Sequence, residues 1–175
     1  VARLDAAVSE ISIEGVSGIA HTRWATHGEV VERNAHPHTS SQDDVAVVHN
    51  GIVENYLALK DELRAQAAEF TSATDSEVIA HLVGRAMDNG KDLSAAVQNA
   101  IERIEGAAAI VAVSAKEPGT IVAARLGNAG GIVIGKTEDA HFVASDIIAL
   151  LPHTNKVCYL ESGQVATLTP GKCEI

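Results

Sequence analysis

The sequence predicts an α+β fold in which layered sheets carry helices on their outer faces. Apolar residues recur at helical spacing in the first part of the chain, whereas the part after Gly106 consists of short β-rich runs separated by Gly and Pro turn signals. Hydrophobic residues make up 46% of the 175 residues and charged residues 21%, enough apolar material for one packed domain. Two early strands, central helices and then six strands are typical of layered sheets with outer helices.

The first elements are predicted from short patterns. Residues 2–10 form a helix with Val1, Leu4 and Val8 on one face, and residues 16–21 form a strand. An irregular polar stretch follows up to residue 44, and the apolar run over residues 44–49 is a second strand.

Asn50 and Gly51 are expected to turn the chain after this second strand. An Asn-Gly pair is typical of a β-hairpin. The run that follows contains helix formers, with Tyr56, Leu59 and Leu63 on one face. The sequence therefore favours a strand-turn-helix unit over a hairpin.

Two further helices are predicted in the middle of the chain. Thr74 and Glu77 have the spacing of a capping box, which places a helix start near residue 75 and puts Asp75 in the first turn. An apolar stripe over residues 93–104 indicates the next helix.

The C-terminal part is expected to form antiparallel meanders. The predicted strands cover residues 107–113, 121–125, 132–134, 142–144, 157–160 and 165–168. Asp146 is expected to cap a short helix. Cys158 lies within one of these strands and is expected to be a buried free thiol.

The amino-acid composition argues against some classes of binding partner. The net charge of −10 at pH 7 argues against a nucleic acid or an anionic membrane as partner, and no apolar run approaches the roughly 20 residues that span a bilayer. Cys158 and Cys173 lack the spacing of a metal or redox motif, which fits a reducing, cytoplasmic setting. The eight histidines leave a metal site open as an alternative, although we expect no metal and no cofactor.

Residues 21–28 are the densest group of candidate binding residues. They read His-Thr-Arg-Trp-Ala-Thr-His-Gly and follow the predicted first strand. The planar guanidinium of Arg23 suits a carboxylate held by two parallel bonds, and a buried Arg paired with an internal acid is the alternative. In an amino-acid site, Arg23 would hold the α-carboxylate and Asp75 the α-ammonium, with main-chain groups of Thr26 and His27 completing the cradle.

Asn50 and Gly51 suit a different task. A side-chain amide and a nearby main-chain N–H can converge on one oxygen that becomes negative during acyl transfer. Glycine permits the close backbone approach that such a site needs.

These residues carry a family resemblance that covers essentially the whole chain. The motifs occur in order at residues 21–28, 34–38, 47–55, 74–78 and 144–146. Together they resemble the glutaminase domain, a class II (type 2) glutamine amidotransferase domain, of the glutamine–fructose-6-phosphate aminotransferases (isomerizing). Related amidophosphoribosyltransferase domains and a non-catalytic glutamine-binding module are the alternatives.

The resemblance implies a four-layer αββα sandwich of the N-terminal-nucleophile hydrolase type that hydrolyses glutamine. It implies that Arg23 and Asp75 bind the charged ends of glutamine, that Trp24, Thr26 and His27 belong to a loop that closes over it, and that Asn50 and Gly51 are the oxyanion donors. The ammonia would serve a C-terminal sugar-isomerase domain that makes glucosamine 6-phosphate, in a parent protein that is a homodimer.

The chain departs from the family at its first residue. The family nucleophile is a cysteine at the mature N-terminus with its own α-amine as base, whereas residue 1 here is Val. Cys158 and Cys173 have no free α-amine and cannot replace it. We therefore expect residues 1–175 to be one amidotransferase domain that lacks its N-terminal strand-helix unit and is inactive by itself.

Overall fold

The computed structural model describes Ser9, residues 15–23 and residues 29–175. Within these residues lie the helices α1 (Tyr56–Ala65), α2 (Glu77–Asp88) and α3 (Leu93–Ile101). The strands are β1 (His38–Thr39), β2 (Val45–Val53), β3 (Gly106–Ser114), β4 (Ile121–Leu126), β5 (Val133–Lys136), β6 (His141–Ala144), β7 (Val157–Tyr159), β8 (Val165–Thr169) and β9 (Lys172–Glu174). Short 3-10 helices cover Glu32–Asn34 and Ile147–Ala149.

The described strands form two antiparallel sheets. The larger sheet has six strands in the order β1-β2-β3-β4-β8-β9, and the smaller has three in the order β6-β5-β7. The longest pairing joins β2 to β3 over nine residues, from Val45 opposite Ser114 to Val53 opposite Gly106. This pair forms the rigid centre from which the candidate site is built.

Side-chain alternation in the larger sheet separates two apolar cores. On β4, Val122 and Ala124 pack against the helices, while Ala123 between them packs toward the smaller sheet with Ile134 of β5. Successive side chains of a strand point to opposite faces, so one sheet serves both cores. The described residues therefore supply a helix layer and two stacked sheets.

Most of the predicted elements are confirmed. The helices at residues 56–63 and 93–104 and the six C-terminal strands all form, within a few residues of their expected ends. The structure adds the short strands β1 and β9, which carry no clear pattern. The predicted strand at residues 16–21 is wrong, because this segment has no regular structure. The predicted helix at residues 2–10 lies outside the described residues.

The predicted turn at Asn50 and Gly51 is also wrong. Strand β2 continues through both residues to Val53, because Asn50 pairs with Ala109 and Gly51 with Ala108. The chain turns only afterwards, where Asn55 donates through Nδ2 to the Arg103 carbonyl (2.9 Å) and accepts at Oδ1 from the Glu105 N–H (3.0 Å).

The capping box predicted for Thr74 and Glu77 does not form. Helix α2 begins at Glu77 itself, with no side-chain cap. The Glu77 carboxylate instead accepts hydrogen bonds from the main-chain N–H groups of Thr71 and Ser72, both at 2.8 Å. A carboxylate buried beside these donors satisfies two main-chain groups of the preceding loop, which outweighs a local cap.

Two smaller predictions have opposite outcomes. Asp146 does cap the short helix that follows it, since its Oδ1 accepts from the Ile148 N–H at 2.8 Å. The prediction that Cys158 is buried is wrong, because its side chain is exposed on β7, an edge strand of the smaller sheet.

Among the described helices, none has the length and apolar content needed to cross a bilayer.

Candidate active site

A cavity of about 200 Å³ brings together the described residues singled out from the sequence. Four separated parts of the chain line it: the segment 15–23, the stretch around His36, strand β2 and the loop before α2. Its lining comprises His21, Thr22, Arg23, His36, His49, Asn50, Gly51, Thr74, Asp75 and Ser76. Arg23, Asp75, Asn50 and Gly51 therefore share one cavity, whereas Trp24, Thr26 and His27 lie outside the described residues.

Strand β2 presents Asn50 and Gly51 along an edge that no described strand covers. Its pairing with β1 involves only Ala46 and Val47. Beyond Val47 no described strand pairs with this edge, so the main chain at Asn50 and Gly51 borders the cavity. A strand edge next to a cavity is suited to binding a polar ligand.

Gly51 occupies its position because no side chain fits there. Its φ of +137° is a conformation that favours glycine, and an added Cβ would lie 2.0 Å from the Ala107 carbonyl oxygen. The sequence pointed to a glycine with unusual geometry at this site, but the reason is a close approach inside the sheet rather than a turn.

Asp75 reaches the cavity from the loop before α2. Only 3% of the residue is exposed, and its Oδ2 accepts a hydrogen bond from the Val53 N–H at 2.8 Å. This bond fixes the carboxylate against the end of β2, close to Gly51. Burial of a carboxylate is costly unless it is paired or hydrogen-bonded, so the position of Asp75 is strongly determined.

The loop that carries Asp75 is held by a second buried carboxylate. Burial alone would raise the pKa of Glu77, but the His81 imidazole, 3.8 Å away, and hydrogen bonds from Ser72 and Thr71 hold that pKa well below its usual range. Lys60 donates to the Ser72 carbonyl oxygen at 3.1 Å. His81 is a core histidine: it is buried, and its Nδ1 lies 3.0 Å from Ser41 Oγ.

Arg23 reaches the cavity from the segment 15–23. It is half-buried, and its Nη1 donates to the Glu29 carbonyl oxygen at 2.8 Å. The cavity thus has a cationic group on one part of the chain and an anionic group, Asp75, on another. Such an arrangement matches the two charged ends of a free amino acid.

Three histidines, His21, His36 and His49, line the cavity, and His38 contacts another lining residue, Thr74. Burial lowers the pKa of His36 to about 3 and that of His49 to about 4, and it also lowers the pKa of His38. His38 Nε2 lies 2.9 Å from Thr74 Oγ1, and His49 Nδ1 lies 2.8 Å from Ser76 Oγ. Because these imidazoles are neutral near pH 7, they add polar contacts without adding charge.

The metal alternative finds no support in the described part of the chain. No group of three or more His, Cys, Asp or Glu side chains there has an arrangement that could hold an ion. The histidines pack ring against ring instead, with centroids 4.3 Å apart for His21 and His36 and 4.8 Å apart for His36 and His38.

Comparison with known families matches this site to an enzyme class. The sequence model of a glutamine amidotransferase domain matches residues 21–152, most of the chain. The chain belongs to this glutamine amidotransferase family. The matched range includes Arg23, Asn50, Gly51 and Asp75.

The relatives of this amidotransferase domain include several glutamine–fructose-6-phosphate aminotransferases (isomerizing). The protein of Acidithiobacillus ferridurans is 50% identical over 168 residues, covering 96% of this chain and 27% of the relative. Those of Methanothermobacter thermautotrophicus and Acinetobacter baylyi are both 48% identical, over 94% and 100% of this chain. This chain spans only 28% of the length of either.

Solved structures agree on the fold. A glutamine phosphoribosylpyrophosphate amidotransferase from B. subtilis, solved with ADP and GMP, superposes with a TM-score of 0.69 at 27% identity. It covers 88% of this chain, which in turn covers 33% of that structure. The predicted α+β sandwich of the N-terminal-nucleophile hydrolase type is thus confirmed.

Proposed function

We propose that this amidotransferase domain hydrolyses the side-chain amide of glutamine. In this proposal Arg23 binds the α-carboxylate and Asp75 the α-ammonium of glutamine. Asn50 Nδ2 and the Gly51 N–H then stabilise the negative oxygen that forms when the amide carbon is attacked. Trp24, Thr26 and His27 complete the substrate loop.

The observation that carries the proposal is the shared cavity. Arg23, Asp75, Asn50 and Gly51 line the same space of about 200 Å³, although they lie in distant parts of the sequence. A site that combines opposite charges with an amide donor suits a zwitterion that bears a further carbonyl group. Glutamine has that chemistry, and the family to which the chain belongs uses it.

The proposed nucleophile is an N-terminal cysteine supplied by the full-length protein. We propose that residues 1–175 belong to one type 2 amidotransferase domain of that protein. The 175 residues by themselves then hydrolyse no glutamine, since neither Cys158 nor Cys173 lines the described cavity. Measurable ammonia release by these residues alone would contradict the N-terminal cysteine mechanism.

For the full-length protein we propose glutamine–fructose-6-phosphate aminotransferase activity. The curated relatives at 48–50% identity bear that name, and the chain spans 27–28% of their length. A C-terminal sugar-isomerase domain would receive the ammonia and form glucosamine 6-phosphate, in a cytoplasmic homodimer. The amidophosphoribosyltransferase alternative has weaker support, because the solved structures of that kind are 27% identical.

Two substitutions in the full-length protein test the site. Arg23→Ala removes the proposed carboxylate contact, so we expect KM for glutamine to rise at least tenfold with little change in kcat. Asn50→Ala removes one oxyanion donor, so we expect kcat to fall by about a hundred- to a thousand-fold with KM largely unchanged. Glutamine-dependent ammonia release measures both, and the exposed Arg33→Ala variant is the control.

Each substitution has a result that would refute its assignment. An unchanged KM in Arg23→Ala would show that this guanidinium does not bind the substrate carboxylate. A change confined to KM in Asn50→Ala would remove Asn50 from the oxyanion role.

A further inference from the structure

We propose that His21 is a positioning residue that orients the Asn50 side-chain amide, so that Nδ2 faces the reacting oxygen of the substrate. The proposal rests on the proposed function, in which Asn50 is an oxyanion donor. It adds His21, in the segment 15–23, to the residues that act on the substrate, and it does so through Asn50.

The contact that carries the inference joins His21 Nε2 to Asn50 Oδ1 at 2.8 Å. An amide oxygen only accepts hydrogen bonds, so Nε2 must bear the proton and donate it. If the Asn50 amide flipped, its NH₂ group would face the same N–H and two donors would meet. The His21 imidazole therefore selects one of the two amide orientations, and in that orientation Nδ2 points away from the ring.

Burial of the other ring nitrogen favours the tautomer with the proton on Nε2. Its Nδ1 is buried and has no hydrogen-bond partner among the described residues. A proton on Nδ1 would be a buried donor without an acceptor, which costs about 1–3 kcal/mol. The neighbouring His36 ring, 4.3 Å away between centroids, is itself kept neutral, because burial lowers its pKa to about 3.

Asn50 Nδ2 is then available to the substrate. Within the described part of the chain no group accepts a hydrogen bond from it, and the Asn50 side chain lies beside Gly130. A second cavity of about 260 Å³ adjoins the first, and both His21 and Asn50 line both cavities. The His21–Asn50 pair therefore borders both spaces through which a substrate carbonyl group would reach Asn50.

Two amide replacements separate this role from simple packing. In His21→Gln the side-chain NH₂ group reaches the position of the imidazole Nε2, whereas in His21→Asn it reaches only the position of Nδ1. Both variants have the same chemistry and differ by one methylene. They are made in the full-length protein, alone and combined with Asn50→Ala, and kcat and KM for glutamine are measured by ammonia release.

We expect His21→Asn to lower kcat by about ten- to a hundred-fold. This loss is no larger than the one expected when an oxyanion donor is removed completely. KM for glutamine stays within about twofold, and His21→Gln retains kcat within about threefold. In the Asn50→Ala background, His21→Asn changes kcat by less than about twofold, because residues that act through one contact are not additive. Unchanged far-ultraviolet circular dichroism accompanies each variant.

Several results would overturn the inference. These are an unchanged kcat in His21→Asn, a loss of kcat that is equally large in the Asn50→Ala background, a parallel rise in KM, or a His21→Gln variant as poor as His21→Asn. Failure of the proposed function is distinct, because Asn50→Ala alone would then leave kcat unchanged.

Discussion

Replacing Gly51 by alanine probes the close approach on which the site depends. The new Cβ would lie 2.0 Å from the Ala107 carbonyl oxygen and 2.9 Å from both Ala129 Cβ and His49 Nε2. The φ of +137° costs a non-glycine residue about 1–2 kcal/mol, and overpacking of a rigid site costs about 1–3 kcal/mol more. We expect Gly51→Ala to lower the free energy of unfolding by roughly 4 kcal/mol.

Two other glycines separate the conformational cost of a positive φ from the cost of the steric clash. Gly90 also has a positive φ, of +87°, but an added Cβ would meet nothing within 4 Å. Gly18 has the same open space without a positive φ. Gly90→Ala should therefore show only the conformational cost of about 1 kcal/mol, and Gly18→Ala should be neutral within about 0.5 kcal/mol.

Urea unfolding followed by circular dichroism measures the three variants. The order Gly51→Ala, Gly90→Ala, Gly18→Ala from most to least destabilised would support the close approach. A Gly51→Ala variant no less stable than Gly90→Ala would refute it, because the clash with the main chain of β3 would then be absent.

Two further predictions concern pH and the turn after β2. Burial depresses the pKa of His36 to about 3 and of His49 to about 4 in the folded chain. Below pH 6.5 the unfolded chain therefore binds more protons than the folded chain. Urea unfolding at pH 7 and pH 5 should therefore show stability lost as the pH falls from 6.5 toward 4, by up to about 1.4 kcal/mol per pH unit for each histidine. Asn55→Ala should cost about 1–3 kcal/mol in the same assay at pH 7, because it leaves the Arg103 carbonyl and the Glu105 N–H without their partner.

Exposed residues provide controls for both predictions. His153 is exposed, so His153→Ala should change the free energy of unfolding at pH 7 by less than about 0.5 kcal/mol. Asn89→Ala, at the exposed end of α2, should change the free energy of unfolding by less than about 0.5 kcal/mol. A stability that is flat between pH 6.5 and 4 would contradict neutral burial of His36 and His49.

The sequence predicted the elements whose patterns are strong and local. The apolar stripe of α3 and the short runs of β3 to β8 formed as expected, because burial on one helix face or on alternate strand positions leaves a clear periodicity. It failed where a distant partner outweighs a local signal. The Asn-Gly pair is typical of a turn, yet nine residues of pairing with β3 keep β2 extended through it.

The sequence by itself determined the family and the chemical types at the site: a guanidinium, a carboxylate, an amide and a glycine in a fixed order. Only the tertiary structure decided how these groups meet. In the fold, β2 continues past Asn50, and Glu77 holds the loop that carries Asp75. The His21 imidazole lies 2.8 Å from the Asn50 amide. The physical reason is that the pairing of Asn50 with Ala109 and the contact of His21 with Asn50 join residues far apart in the sequence. Such contacts depend on the packing of whole layers, which no local pattern records.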